Sequence, residues 1–382
     1  MKNRDTALNR KLTRVAICHD WLLNQRGAER VLAELCRNSA SLSIYTLLFD
    51  STILGSALDR HLVYVSPLRR LPVPRNYYRY LLPLFPYAIR QFQVRNVELL
   101  ISISHSVAKG IPHDPEVPHI CYCLTPMRYL WEPSLYQPDL KGPLRRILLR
   151  LLSSHLRSWD TQTNQSVDSF VAVSRTVQQR ILRTYSQESR VIYPFVDLDF
   201  FRPTASSRED FYLIVSGLVP NKRISLAVEA FNRSGKALRI VGSGPLLRRL
   251  RRMARPNVQF LGWQPDDEVR RLYQTARGLV FPGHEDFGLV PVEAQACGCP
   301  VIAYGEGGVT ESVVAGETGV FFQDRTPDAL REAVEVLEKS PLEEGKMIQN
   351  AKHFSRDRFW SEWRQCLGEL GLDPDLLRQS ST

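Results

Sequence analysis

Two glutamates, Glu285 and Glu293, stand eight positions apart in the string Glu285-Asp286-Phe287-Gly288-Leu289-Val290-Pro291-Val292-Glu293. An ionised carboxylate accepts hydrogen bonds and donates none, so two of them on one ligand suit a partner rich in hydroxyls, such as the sugar and ribose of a nucleotide sugar. Residues 277–282 read as a strand, which puts Glu285 in the loop at its C-end. Pro291 suits the first turn of a following helix, where a missing N–H costs little. Glu293 then falls in the first turns of that helix and can point back toward the loop. Gly288 lets the backbone approach a ligand, and the N–H groups of a helix start can face an anion. The helix dipole alone would also favour acids here, so spacing by itself leaves both readings open.

Other segments carry weaker signals. Residues 215–223 read as strand, turn and helix start, closing on Lys222-Arg223, a pair that a solvated helix start would also carry. Gly242-Ser243-Gly244 follows a strand like the start of a dinucleotide fingerprint, but Leu247 stands where the third glycine would fall. The pair is read as placing backbone N–H groups near a nucleotide. His19-Asp20-Trp21 ends a first strand, and Gly27 opens the next helix, either as a plain turn glycine or as a point of close approach to an anion. Asp197-Leu198-Asp199 has the form of a metal-holding DxD string, yet it lies in a connection rather than at a strand end, so no metal is expected there. Seven cysteines lack zinc spacing and read as buried thiols of a reducing cytoplasm.

The elements that must position these residues follow a βα rhythm. The runs RVAICHDW, VELLISISHS, PHICYCLTP and DSFVAVS read as strands, and GAERVLAELCR places Val31, Leu32 and Leu35 at helical spacing. The rhythm restarts at FYLIVSG and continues through ALRIVGSG, NVQFLGW, ARGLVFPG and PVIAYG. Such alternation predicts two α/β domains with parallel sheets covered on both faces. Their strand C-ends are expected to face each other across an interdomain cleft, where ligands of open α/β sheets bind. The domains are expected at 1–194, 195–355 and, as a terminal amphipathic helix carrying Phe359, Trp360, Trp363 and Leu367 back toward the first domain, 356–382.

With 382 residues, 43% of them apolar, the chain can fill two cores. No apolar run is long enough to cross a bilayer, and neither a transmembrane helix nor a signal peptide is expected. The net charge of +10 is uneven: residues 1–194 hold 26 Lys and Arg against 14 Asp and Glu, the remainder 24 against 26. The basic half carries Arg69, Arg70, Arg75, Arg79 and Arg90 among Tyr and Leu, and PLRRILLRLLSSHLRSW with Arg145, Arg146, Arg150 and Arg157. Basic residues with aromatics and leucines on a helix describe a segment lying on an anionic bilayer, although a core helix with a solvated face shares the pattern. Nucleic acid is not expected, since no reader motif accompanies the charge.

Residues 281–322, with Glu-Asp-Phe-Gly-Leu-x-x-x-Glu-Ala, Cys-Gly-x-Pro-Val-Ile-Ala, Gly305-Glu306-Gly307-Gly308-Val309-Thr310-Glu311 and Gly316-Glu317-Thr318-Gly319, resemble the signature of retaining family-4 (group 1) glycosyltransferases. The resemblance extends over nearly the whole chain and implies the GT-B fold of two facing Rossmann-like domains. It implies that Glu285 contacts the donor sugar, that Glu293 holds the ribose, and that Phe287, Gly288 and Leu289 line the donor. It also implies that Lys222 binds the diphosphate; the family has an arginine five residues earlier, where this chain has Gly217, so Arg223 or Arg128 is the expected second cation. Gly27 is expected against the phosphates on the acceptor side.

Residues 102–110 and 122–132 resemble the branch containing bacterial O-antigen and exopolysaccharide mannosyltransferases. That branch reads Tyr-Cys-His-Thr-Pro-Met-Arg, and this chain has Leu124 where the sugar-binding histidine belongs. Arg128 is kept from the motif, and His105 and His19 are the candidates to stand near the place the histidine leaves, which sequence alone does not show. The resemblance therefore implies a retaining transfer of mannose from GDP-mannose, with UDP-sugars next, to a lipid-linked or polysaccharide acceptor. No cofactor or metal is expected, and Glu285, Lys222 and Arg128 are the expected catalytic residues. The location expected is the cytoplasm, peripheral to the inner face of the membrane. Two competing readings are a catalytically weakened scaffold that binds glycan or nucleotide, supported by Gly217 and Leu124, and a nucleotide-dependent oxidoreductase resting on Gly242 and Gly244.

Overall fold

The computed structural model describes residues 14–24, 27–53, 55–71, 75–132, 143–205 and 207–378. They form two compact units. The first holds the described residues up to Val173, Val177–Ile192 and those from Trp363 on. The second holds Ser174–Thr176 and Tyr193–Glu362.

The first unit is built on a seven-stranded sheet of β1 (Val15–His19), β2 (Leu42–Thr46), β3 (Leu62–Val65), β4 (Leu99–Ser104), β5 (His119–Cys123), β6 (Ser169–Ala172) and β7 (Ser189–Val191), in the order β3-β2-β1-β4-β5-β6-β7. All neighbours are parallel. Parallel strands need crossovers, and the helices Gly27–Asn38 and Arg175–Tyr185 supply two of them. β1, β4 and β5 are buried at every residue, because helices cover both faces of the sheet. On the helix Gly27–Asn38, Val31, Leu32 and Leu35 are buried, as the spacing predicts.

The second unit holds a six-stranded parallel sheet of β8 (Tyr212–Val215), β9 (Leu238–Val241), β10 (Val258–Gly262), β11 (Gly278–Phe281), β12 (Val301–Tyr304) and β13 (Gly319–Phe322), ordered β10-β9-β8-β11-β12-β13. Leu213, Leu279 and Val301 enter one core cluster, while Ile214, Val280 and Ile302 enter another. Successive side chains thus point to opposite faces and both faces are filled. The helix Ile224–Ser234 ends where Gly235, at φ 73°, donates its N–H to the Phe231 carbonyl, a left-handed stop that glycine adopts without strain. In both sheets the strand order reverses beside the first strand, the doubly wound arrangement that creates a binding crevice at the strand C-ends.

Several sequence expectations need adjustment. The segment around residues 62–90 is not one amphipathic helix: it contains β3, the 3-10 turns Pro67–Arg70 and Arg75–Leu84, and the short helix Phe85–Ile89. Pro83 and Pro86 lack N–H groups and prevent a longer α-helix. Arg69, Arg70 and Arg90 are exposed there; the side chains of Arg75 and Arg79 lie outside the described residues. The basic, leucine-rich segment does form a helix, Pro143–Gln162, but the side chains of Arg145, Arg146 and Arg150 are likewise outside the described residues. Arg157 is exposed on this helix and also bonded within the chain, donating from Nε to the Leu130 carbonyl at 3.0 Å and lying 5.3 Å from the Trp131 ring centroid. Beside it, buried Asp160 takes an ion pair from Lys109 Nζ at 3.0 Å and hydrogen bonds from Trp131 Nε1 at 2.7 Å and Tyr185 Oη at 2.8 Å. A buried charge is held only with such saturation.

The terminal helix Arg356–Glu369 buries Phe359, Trp360, Trp363 and Leu367. In the first unit, the Trp363 ring lies 5.8 Å from that of Tyr122. All seven cysteines are buried free thiols, and burial pushes Cys299 up to about 12, so it carries no thiolate at neutral pH. Among the described residues no helix is long and apolar enough to cross a membrane.

Candidate active site

The C-ends of β8, β9, β11 and β12 each end in glycine-containing loops, and these loops press on one another. A Cβ at Gly242, whose φ is 127°, would strike the Ser216 carbonyl oxygen, and one at Gly244 would strike that of Leu218. The loop after β9 therefore lies directly against the loop after β8, joined by Leu218 N–H to the Ser243 carbonyl at 2.9 Å. At Gly283 a Cβ would come within 3.0 Å of Lys222 Cα. At Gly307 it would come within 2.6 Å of the Glu285 carbonyl oxygen, and Gly308 N–H donates to that oxygen at 2.8 Å. Only residues without side chains permit this approach.

The loops bring Lys222 and Glu285 together. Lys222 ends the 3-10 turn Pro220–Lys222 after β8, and Glu285 follows β11. Their side chains form an ion pair and remain 21% and 23% exposed, so the pair is open to a ligand. β8 and β11 are the strands between which the sheet order reverses, so this pair marks the switch point.

Glu293 lies on the helix Leu289–Ala296 and is buried, accepting from Tyr273 Oη at 3.0 Å. Tyr273 escaped the sequence reading because nothing in its own surroundings, an ordinary helix Asp266–Thr275, marks it as a partner of an acid twenty positions on. Gly288, at φ 86°, precedes the helix and turns the chain into it. Phe287 is a core side chain, packed 5.3 Å from the Phe354 ring, so its side chain does not line an open site. Leu289 is half-buried at the helix start.

Arg223, one of the two candidate second cations, directly follows Lys222. It takes a left-handed conformation, φ 50° and ψ 33°, and lines a groove with Ser225, Glu229 and Arg325. This residue joins the 3-10 turn Pro220–Lys222 to the helix Ile224–Ser234. Gly217, in the place of the family arginine, has open space around its Cβ position. Asp197 of the DxD string is paired with Arg356 at 2.9 Å and accepts the Phe200 N–H at 3.2 Å, a structural clasp in the connection.

In the first unit, Gly27 begins the helix Gly27–Asn38. Arg128 begins the short helix Arg128–Trp131, where its carbonyl accepts the Glu132 N–H at 2.8 Å. Leu124 follows β5, its N–H bonded to the Ser104 carbonyl at 2.8 Å.

Two doubly wound parallel sheets, the second with an acid–lysine pair at its switch point, define the GT-B class of architecture. Residues 25–200 match the family model described as Glycosyltransferase Family 4, and residues 196–354 match Glycosyl transferases group 1, so the chain carries one domain of each kind. D-rhamnosyltransferase WbpZ of Pseudomonas aeruginosa is 30% identical over 234 residues, 56% of this chain and 60% of that protein. A GDP-mannose-dependent alpha-(1-6)-phosphatidylinositol monomannoside mannosyltransferase of Mycolicibacterium smegmatis is 30% identical over 228 residues, 52% of this chain and 59% of that protein. The chain thus spans less than two thirds of the length of these curated relatives. Among solved structures, Anabaena HepE in complex with UDP superposes with a TM-score of 0.69 at 15% identity, covering 94% of this chain and 100% of that one. At that identity the likeness is one of fold.

Proposed function

We propose that the chain is a retaining hexosyltransferase that moves mannose from GDP-mannose to a lipid-linked or polysaccharide acceptor. The observation that carries the proposal is the Lys222–Glu285 pair at the switch point of a domain matching the group 1 glycosyltransferases. A departing nucleoside diphosphate needs its negative charge neutralised, and a preorganised lysine beside a helix start does this. Glu285 offers carboxylate oxygens to sugar hydroxyls, and Glu293, joined to Tyr273, offers a second acceptor for a ribose. The leaving phosphate serves as base for the incoming hydroxyl. Mannose is favoured by the relative named as GDP-mannose-dependent and by the motif in residues 122–128.

The acceptor reading rests on the basic first half. Among its described residues, Arg69, Arg70 and Arg90 are exposed, and Leu84 and Tyr87 are 46% and 72% exposed. Cations interleaved with exposed leucine and tyrosine suit an anionic membrane surface.

A second reading, a relative that binds donor without turnover, is favoured by Gly217 and Leu124, neither of which supplies a polar group. A panel of nucleotide sugars separates the two. Bound ligand at a hundredfold excess over Kd stabilises by about 2.7 kcal/mol, so the donor raises the melting temperature. GDP-mannose is expected to stabilise the protein most and to be slowly hydrolysed. Stabilisation without hydrolysis selects the second reading, and no stabilisation by any nucleotide sugar contradicts both.

A further inference from the structure

The sheet of the first unit has its own switch point, between β1 and β4. His19 ends β1, Asp20 follows it, and His105 follows β4. Asp20 is fully buried. Its Oδ1 accepts the N–H groups of Val107 and Ala108, each at 2.7 Å, and its Oδ2 accepts that of His105 at 2.7 Å. The same Oδ2 lies 3.0 Å from His105 Nδ1. Burial alone would raise the Asp20 pKa, but the His105 charge and hydrogen bonds outweigh it and hold the carboxyl below its ordinary range. The aspartate is therefore an anion that fixes the loop after β4 and stands at ion-pair distance from the His105 ring.

The His105 side chain is 31% exposed and its ring meets the edge of Trp21, with centroids 4.5 Å apart. With Nδ1 turned to Asp20, Nε2 is the ring nitrogen left to face a ligand. Whenever the ring is neutral, Asp20 keeps the proton on Nδ1 and leaves the lone pair on Nε2. An imidazole so held accepts a hydrogen bond from a hydroxyl. The register pairs Ser104 with Cys123, so His105 and Leu124 are the next residues on adjacent strands, and of these two only His105 has a polar side chain. Beneath them His19 is fully buried, and neither ring nitrogen has a hydrogen-bond partner among the described residues. Unmet hydrogen bonds of this kind mark a polar floor that water or ligand completes.

We propose that His105 is the hydroxyl-binding residue on the acceptor side, with Asp20 as its positioning residue. Nε2 of His105 takes a hydrogen bond from the incoming hydroxyl, a sugar hydroxyl of the acceptor or, without acceptor, water. The assignment rests on the glycosyltransfer reading above.

The test measures GDP-mannose affinity and GDP-mannose hydrolysis for wild type, His105→Ala and His105→Gln. His105→Ala is expected to bind GDP-mannose within about twofold of wild type and to hydrolyse it roughly tenfold more slowly, the loss of one hydrogen bond. His105→Gln, whose Oε1 still accepts, is expected to recover part of the rate. In 15N spectra, the neutral His105 ring of the wild type is expected as the Nδ1-protonated tautomer, and Asp20→Asn is expected to lose that preference. Unchanged hydrolysis in His105→Ala overturns the proposal, as does a parallel fall in donor affinity, which would place His105 at the donor instead. Wild type that does not bind GDP-mannose or any nucleotide sugar fails the glycosyltransfer reading itself, and this role with it. Wild type that binds a nucleotide sugar without hydrolysing it selects the non-catalytic reading and removes this role with it, whereas unchanged hydrolysis in His105→Ala removes the role alone.

Discussion

Lys222 and Glu285 form an ion pair between the loops that follow β8 and β11, where the strand order of the second sheet reverses. Without ligand, each satisfies the charge of the other. On the proposed reading, a bound diphosphate would compete for Lys222 and free Glu285 for the sugar. Glu285→Gln is therefore expected to lower GDP-mannose turnover on the order of a hundredfold, the size of losing one preorganised electrostatic contact. The product GDP, which lacks the sugar, is expected to bind Glu285→Gln at least as tightly as wild type, because Lys222 is released. Steady-state turnover together with GDP titration checks both parts. GDP binding that falls along with turnover contradicts the division of roles.

Gly217 stands where the resemblance implies an arginine, and a Cβ there meets nothing within 4 Å. Its φ is not in the left-handed region, so an L side chain fits without strain. Gly217→Arg adds a charge-assisted donor near the diphosphate, a contact worth about 1.5–3 kcal/mol. The expected result is roughly tenfold tighter binding of GDP-mannose with little change in melting temperature. Weaker binding would show that this loop is turned away from the donor.

Much of the fold was legible because buried parallel strands are continuous apolar runs. RVAICHDW, VELLISISHS and FYLIVSG became β1, β4 and β8, strands flanked by neighbours on both sides. The strands that escaped notice include the edges β3 and β7, which are half-exposed, and the four-residue β13. An edge strand carries too little apolar surface to stand out by pattern. At the site, the acid loop was legible from its glycine and proline chemistry. That Lys222 comes to Glu285 was implied by the family resemblance rather than by local pattern, because the meeting depends on sheet order; the ion pair itself is added by the structure.

Acid should weaken the fold through His119. This residue is fully buried on β5, with Nδ1 at 2.7 Å from the Ser166 carbonyl oxygen and Nε2 at 2.8 Å from Ser102 Oγ. Burial, followed by the nearby charge of His113, lowers its pKa from 6.5 to about 3. A depressed folded-state value means the unfolded chain binds the proton first. The stability is thus present above pH 6.5 and lost as pH falls through that value toward 3. Between pH 6.5 and 5 the loss is about 2 kcal/mol. Urea midpoints are expected to drop over that interval and to drop less in His119→Gln. Equal slopes in the two proteins would contradict the assignment.

The basic first half is expected to bind anionic bilayers. Each exposed arginine near such a surface contributes about 1 kcal/mol. Vesicles containing phosphatidylglycerol should retain the protein at low salt and release it at high salt, while neutral phosphatidylcholine vesicles should not retain it. Arg69→Glu with Arg70→Glu should reduce retention without changing GDP-mannose affinity. Equal binding to both vesicle types would remove the electrostatic account.

The central claim is that Lys222 and the two glutamates serve a single nucleotide-sugar pocket at the switch point of the second sheet. Calorimetric titration of GDP-mannose into wild type, Lys222→Ala and Glu293→Gln tests it most directly. The account predicts that each variant remains folded and binds roughly tenfold or more weakly than wild type, the cost of one lost charged hydrogen bond. Wild-type affinity in both variants would contradict it.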